Sequence, residues 1–167
     1  MEKMREKDFW IATALIVLTA SLMTAISLHW IRIGFYAGPF RLNHWFVWIG
    51  TLYIAIAVPI IALLKKRIPN KYATLYTIHV FGNLISFMLI SLHFASQISR
   101  PAASYPDLGT GLVLYISMII LVGTGFLQRF HLLPKMKPQY FMFIHFSSAF
   151  SFYLIIVIHI LHGLGII

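Results

Sequence analysis

Five stretches of this chain run for about 20 residues each with almost no charge, and the polar residues gather between them. They cover residues 9–28, 44–64, 72–95, 109–130 and 140–164. A helix of about 20 apolar residues crosses the hydrocarbon core of a bilayer, whereas an alternating strand pattern would have a period of two. The pattern predicts an all-α integral membrane protein with five transmembrane helices. The connections are short, with Gly38-Pro39, Pro69-Asn70, Pro101, Pro106 and Pro134 as breaks. Residues 30–43 are aromatic and carry Arg32 and Arg41, as expected of chain lying at an interface.

Composition sharpens this picture. The chain is 60% hydrophobic, with four acids against thirteen Lys and Arg in 167 residues, which leaves no room for a soluble catalytic domain. A single membrane domain over residues 1–167 is expected. The basic start, Met1 to Lys7, resembles that of a signal peptide. The apolar run behind it is longer than a signal-peptide core and shows no convincing cleavage site, so a retained first span is expected. The absence of cysteine excludes cysteine-ligated iron–sulfur clusters, thioether-attached haem and disulfides.

The net charge of +9 would suit nucleic acid, but its distribution has a simpler cause. Lys3, Arg5, Lys7, Lys65, Lys66, Arg67, Lys71, Arg129, Lys135 and Lys137 fall at one set of span ends, and only Arg32, Arg41 and Arg100 at the other. That asymmetry places the N-terminus in the cytoplasm and the C-terminus outside, with membrane lipids rather than nucleic acid as partners.

Against this apolar background the histidines stand out. His79 and His93 share the third span, His145 and His159 share the fifth, and each pair is fourteen residues apart. The second pair repeats the first at an offset of 66 residues, which also aligns Phe87 with Tyr153. Fourteen residues are two heptads, so both members of a pair face one seam, about 40° apart in a straight helix and about 21 Å apart along it. Spans three and five run in the same direction. His79 is therefore expected level with His145 near the cytoplasmic leaflet, and His93 level with His159 near the outer one.

Imidazole inside a span is costly and marks a functional site. Two ligands per level are too few for a structural zinc site, and no inward glutamate is present for a di-iron centre. Bis-histidine ligation of two non-covalent b haems fits the residues available. The expected ligands are His79 and His145 for the inner iron, and His93 and His159 for the outer. Spans two to five, residues 44–165, would then form a four-helix bundle of two hairpins around two stacked haems, with the first span (residues 1–29) peripheral.

Glycine gives a porphyrin edge room, and span four repeats it at fourteen-residue spacing: Gly111 with Gly125, and Gly109 with Gly123. Ordinary helix packing also explains these glycines. Phe87, Phe150 and Phe152 are candidates to pack between rings or simply to fill the core. Arg41, Arg100 and His44 outside, and Lys65, Arg67, Lys71 and Arg129 inside, suit propionates but also suit loops. His29, His44, His131 and His162 sit at span ends, where an interfacial role is the default, and His162 is the chief rival ligand. His131, His44, Tyr105 and Asp107 are candidates for a quinone site by position alone.

Thr77-Ile78-His79 through Leu92-His93, and Phe143-Ile144-His145 through Ile158-His159, resemble the haem helices of the di-haem cytochrome b superfamily. That superfamily includes cytochrome b of quinol–cytochrome c oxidoreductases and the b subunits of hydrogenases and formate dehydrogenases. The resemblance covers spans two to five and implies the same four axial histidines; the paired glycines also match a family habit. The oxidoreductase cytochromes carry their ligands on the second and fourth helices and have a quinol-oxidising loop, both absent here. Ligands on spans three and five are more similar to the membrane domain of ferric reductases and NADPH oxidases, without their flavin and nicotinamide domain.

The expected activity is electron transfer across the membrane between a quinone pool or partner redox subunit and an acceptor on the other side, such as an extracytoplasmic cytochrome. An electron-transfer subunit fits the chain better than a complete enzyme. The alternatives are a stand-alone reductase of ferric chelates or oxygen at the outer haem, a transporter or scaffold, and a pigment-binding protein.

Overall fold

The computed structural model describes residues 2–105, 108–163 and 165–166. Among them, five helical spans are long and apolar enough to cross a membrane: Glu6–Ser27, Leu42–Arg67, Pro69–Ile98, Gly109–Phe130 and Pro138–Gly163. They match the hydropathy pattern to within a few residues, and the fourth coincides with it; Leu164, the expected end of the fifth, lies outside the described residues. The chain divides into two compact units, Met1–Pro106 and Asp107–Ile167.

The first unit contains α1 (Glu2–Ser27), a hairpin of β1 (Tyr36–Ala37) and β2 (Phe40–Arg41), α2 (Leu42–Leu52), α3 (Val58–Arg67) and α4 (Tyr72–Ile98). Both α1 and α2 pack along α4, the helix that carries His79 and His93. Ile26 of α1 and Ile33 behind it meet Leu92 and Ala95 of α4, and Leu22, Met23, Leu42 and Phe46 close around them. Some hydroxyls in the spans are returned to their own helix: Thr19 donates to the Leu15 carbonyl at 2.7 Å and Thr77 to Ala73 at 3.0 Å.

Between α2 and α3 the helix widens into one π-helical turn, Tyr53–Ala57. The cause is Pro59, at the start of α3. Its ring excludes the carbonyl four residues back and it has no N–H to donate, so the ladder loosens just before it. The widened turn turns Tyr53 toward α4. There its hydroxyl donates to the Ile78 carbonyl at 2.8 Å, and its ring fills the space where a Cβ on Gly82 would sit. A second close approach is at Gly50, whose added Cβ would come within 3.1 Å of the Ser86 carbonyl oxygen. At the α3–α4 corner the Lys65 ammonium lies 4.9 Å from the Tyr76 ring centroid.

Within the aromatic segment 30–43, residues 36–41 form a hairpin. Gly38, at φ +71°, allows a tight turn between β1 and β2, and Trp45 covers it, donating its indole N–H to the Ala37 carbonyl at 2.7 Å. The expected all-helical architecture thus carries one two-residue ladder.

The second unit is a hairpin of α5 (Gly109–Phe130) and α6 (Pro138–Gly163). Pro138 opens α6, where a missing N–H costs nothing. α5 ends on His131 with φ +52°, a left-handed cap usually given to glycine.

Candidate functional site

Each of the four candidate ligands is half-buried, as is His44. By contrast His29, His131 and His162 are exposed. The sequence-derived separation of interior from span-end histidines therefore corresponds to a difference in burial, with His44 as the exception.

In the second unit the two histidines of α6 occupy equivalent settings. The Nδ1 of His145 lies 3.0 Å from the Thr124 hydroxyl, and the Nδ1 of His159 lies 2.9 Å from the Thr110 hydroxyl. For Thr124 the roles are fixed: its own proton goes to the Ile120 carbonyl at 2.7 Å, so it accepts from His145 Nδ1–H. The Nε2 of His145 then carries a lone pair, the form in which imidazole binds a metal. A partner on the other ring nitrogen is what orients a ligating histidine and raises its basicity.

The glycines complete this arrangement. A Cβ built on Gly125 would come 3.5 Å from Cε1 of His145, and one on Gly111 would come 3.3 Å from Cε1 of His159. Gly123 would meet nothing within 4 Å. Thus Gly111 and Gly125, not Gly123, are the glycines that matter locally, and what lies against them is the imidazole. Thr110 and Thr124 do not stand out as single residues of an apolar span. The signal was present: Gly-Thr-Gly occurs at 109–111 and again at 123–125, fourteen residues on.

In the first unit the partners are different. The Nδ1–H of His93 donates to the backbone carbonyl of Asn43 at 3.1 Å. A carbonyl only accepts, so this too leaves the lone pair on Nε2; Gln97, one turn on, stands beside that nitrogen at 3.4 Å, long for a hydrogen bond. Asn43 is 1% exposed and tied at three points, with its N–H on Ile33 and its side-chain amide donating to Ser96 Oγ at 3.2 Å. His79 has the Asn83 amide at 3.4 Å from both ring nitrogens, a loose contact. Carboxamides thus follow both α4 histidines by four residues.

The remaining candidates divide clearly. His44 lies with its ring centroid 5.7 Å from that of His93, Arg41 directly precedes α2 and Arg100 follows the end of α4. His162 is exposed one turn beyond His159. Phe87 and Phe152 are buried, at 9% and 3% exposure, whereas Phe150 is 68% exposed. About 140° separates it from His145 around α6. Tyr105 is exposed, and Asp107 lies outside the described residues.

No group of three or more His, Cys, Asp or Glu gathers among the described residues. Zinc and di-iron sites ask for such a group; a haem asks for one imidazole on each face. The two histidines on each of α4 and α6, with Nδ1 of His93 and His145 held by an acceptor and Gly111 and Gly125 leaving room for the rings of His159 and His145, suit imidazole ligation of an iron porphyrin. Comparison of the chain with protein-family models, curated proteins and solved structures gave no match.

Proposed function

We propose that the chain is a di-haem b-type cytochrome that moves electrons across the membrane, between a quinone pool or redox partner subunit and an acceptor on the other side. The observation that carries this reading is the repeated setting of His145 and His159. Each presents Nδ1 to a threonine and its Cε1 edge to a glycine, and the whole unit recurs after fourteen residues on both helices. A lone core histidine needs one such arrangement; a span that repeats it at two depths is built for two ligands.

In this reading α4 and α6 supply the ligands of a four-helix bundle formed by spans two to five. Equal separations on two helices that run in the same direction pair His79 with His145 and His93 with His159. Haem iron between two imidazoles supplies a one-electron couple whose potential follows its ligands and surroundings. The chain's residues do the rest. Thr124 and the Asn43 carbonyl hold the Nδ1 protons of His145 and His93, and Arg41 and Arg100 place positive charge beside the His93 end, where propionates would be neutralised. The apolar spans keep water away.

The test is haem extraction and stoichiometry on protein purified after haem-replete expression. Two b haems per chain are expected. His93→Ala and His159→Ala should each lose one of the two and leave the other's reduced-minus-oxidised band in place. A colourless wild-type protein, or full haem content in both variants, overturns the reading.

A further inference from the structure

Where α1 ends, the chain turns through His29, whose φ of +61° lies in the left-handed region. The turn is closed by Trp30 N–H on the Ala25 carbonyl at 2.8 Å. Glycine is the usual residue there, and a side chain costs roughly 1–2 kcal/mol. His29 lines an open pocket of about 470 Å³ together with Arg32, Ser96 and Ser99. Ile26 and Ile33, both buried, and Phe35 form its apolar wall.

The polar lining has a definite character. No carboxylate pairs with Arg32 among the described residues. Glu2, Glu6 and Asp8 are about 30 Å or more away at the other end of α1, and Asp107 lies outside the described residues. The two serines are not equivalent. Ser99 gives its proton to the Ala95 carbonyl at 2.6 Å, whereas Ser96 accepts from the Asn43 amide and keeps its own proton to donate. Cation, free hydroxyl and apolar wall come together just beyond Ser27, where the apolar window of α1 ends and headgroups lie.

We propose that this cavity binds the phosphate of an anionic phospholipid. Arg32 and the Ser96 hydroxyl hold its oxygens, His29 flanks them, and an acyl chain packs against the exposed Phe35. Guanidinium binds phosphate in a two-pronged fork, and membrane-interface sites of this kind select headgroups. The site does not depend on haem. Because Ser96 is bonded to Asn43, whose carbonyl holds His93, an occupied cavity also braces that end of α4.

Native mass spectrometry of delipidated protein titrated with phosphatidylglycerol, phosphatidylcholine or inorganic phosphate tests this. One phosphatidylglycerol per chain is expected to survive activation that strips phosphatidylcholine. Arg32→Gln should weaken it about tenfold or more, Ser96→Ala by a smaller factor, and Ser99→Ala not at all. Arg32→Lys should retain part of the binding, and His29→Gly should weaken binding while raising the melting temperature, because the turn is relieved. The assignment is overturned if inorganic phosphate binds as well as the lipid, if Arg41→Gln weakens binding as much as Arg32→Gln, or if Ser99→Ala matches Ser96→Ala.

Discussion

A threonine hydroxyl with its proton committed to a helix carbonyl is a fixed acceptor, and Thr124 uses that property on His145. Thr124→Val keeps the shape and removes the acceptor; Thr124→Ser keeps the acceptor. Losing such a partner typically weakens metal-site affinity by about 10- to 100-fold. Haem retention in a competition assay with apomyoglobin should therefore fall for Thr124→Val and be restored by Thr124→Ser, at unchanged helicity. The glycines predict a graded effect. An added methyl at Gly111 would stand 3.3 Å from the His159 ring and must displace it, while one at Gly125 would stand 3.5 Å from His145 in ordinary contact. Gly111→Ala should change the low-spin haem resonance signal of one haem, and Gly125→Ala should leave both nearly unchanged. The histidines and glycines were readable from spacing alone. Thr110 and Thr124 were not singled out, because threonine is unremarkable in a span until a neighbour's Nδ1 is placed against it.

The second apolar span owes its shape to a conflict between sequence and helix geometry. Pro59 cannot join the regular ladder, and the π turn that absorbs the misfit brings Tyr53 onto α4 at Ile78 and Gly82. Such turns recur at functional sites because they re-aim one side chain without ending the helix. Here the re-aimed residue bonds the carbonyl immediately before His79. Tyr53→Phe removes one hydrogen bond and should cost about 1 kcal/mol. Gly82→Ala forces a methyl into the tyrosine ring and should cost more. In a double-mutant cycle read by thermal unfolding in detergent, Tyr53→Ala should erase most of the Gly82→Ala penalty, since contacting residues are non-additive. Additive losses would show that the two do not share a packing site. Neither Pro59 nor Gly82 stood out in the hydropathy pattern, since both lie within runs that read as uninterrupted helix.

At the scale of the whole molecule, orientation is set by charge. The basic loops after the second and fourth spans and the basic N-terminus should share the cytoplasmic side. The cysteine-free sequence makes this easy to check with single cysteines. Lys66→Cys and Lys135→Cys should react with an impermeant maleimide only from the cytoplasmic face, and Ala103→Cys only from the other. Reversed labelling would exchange the inner and outer positions assigned to the histidine pairs. The two compact units each hold one helix with a histidine pair, α4 in the first and α6 in the second, and each provides its own hydrogen-bond partners for its histidines.

The sequence by itself determined the five spans, because desolvation forces every backbone polar group in an apolar run into a helix, and hydropathy records that directly. It also set the relative depth and face of each histidine pair, since a period of fourteen residues fixes both on any helix, whereas the half-burial of His44 came only with the fold. Tertiary structure decided which atom meets each imidazole. The Asn43 carbonyl on His93 is a backbone group that every residue possesses, and only the packing of α2 against α4 selects it. The close fit of α1 on α4 and the cavity beside Arg32 are likewise properties of chain segments far apart in sequence, set by side-chain shape and invisible to composition or period.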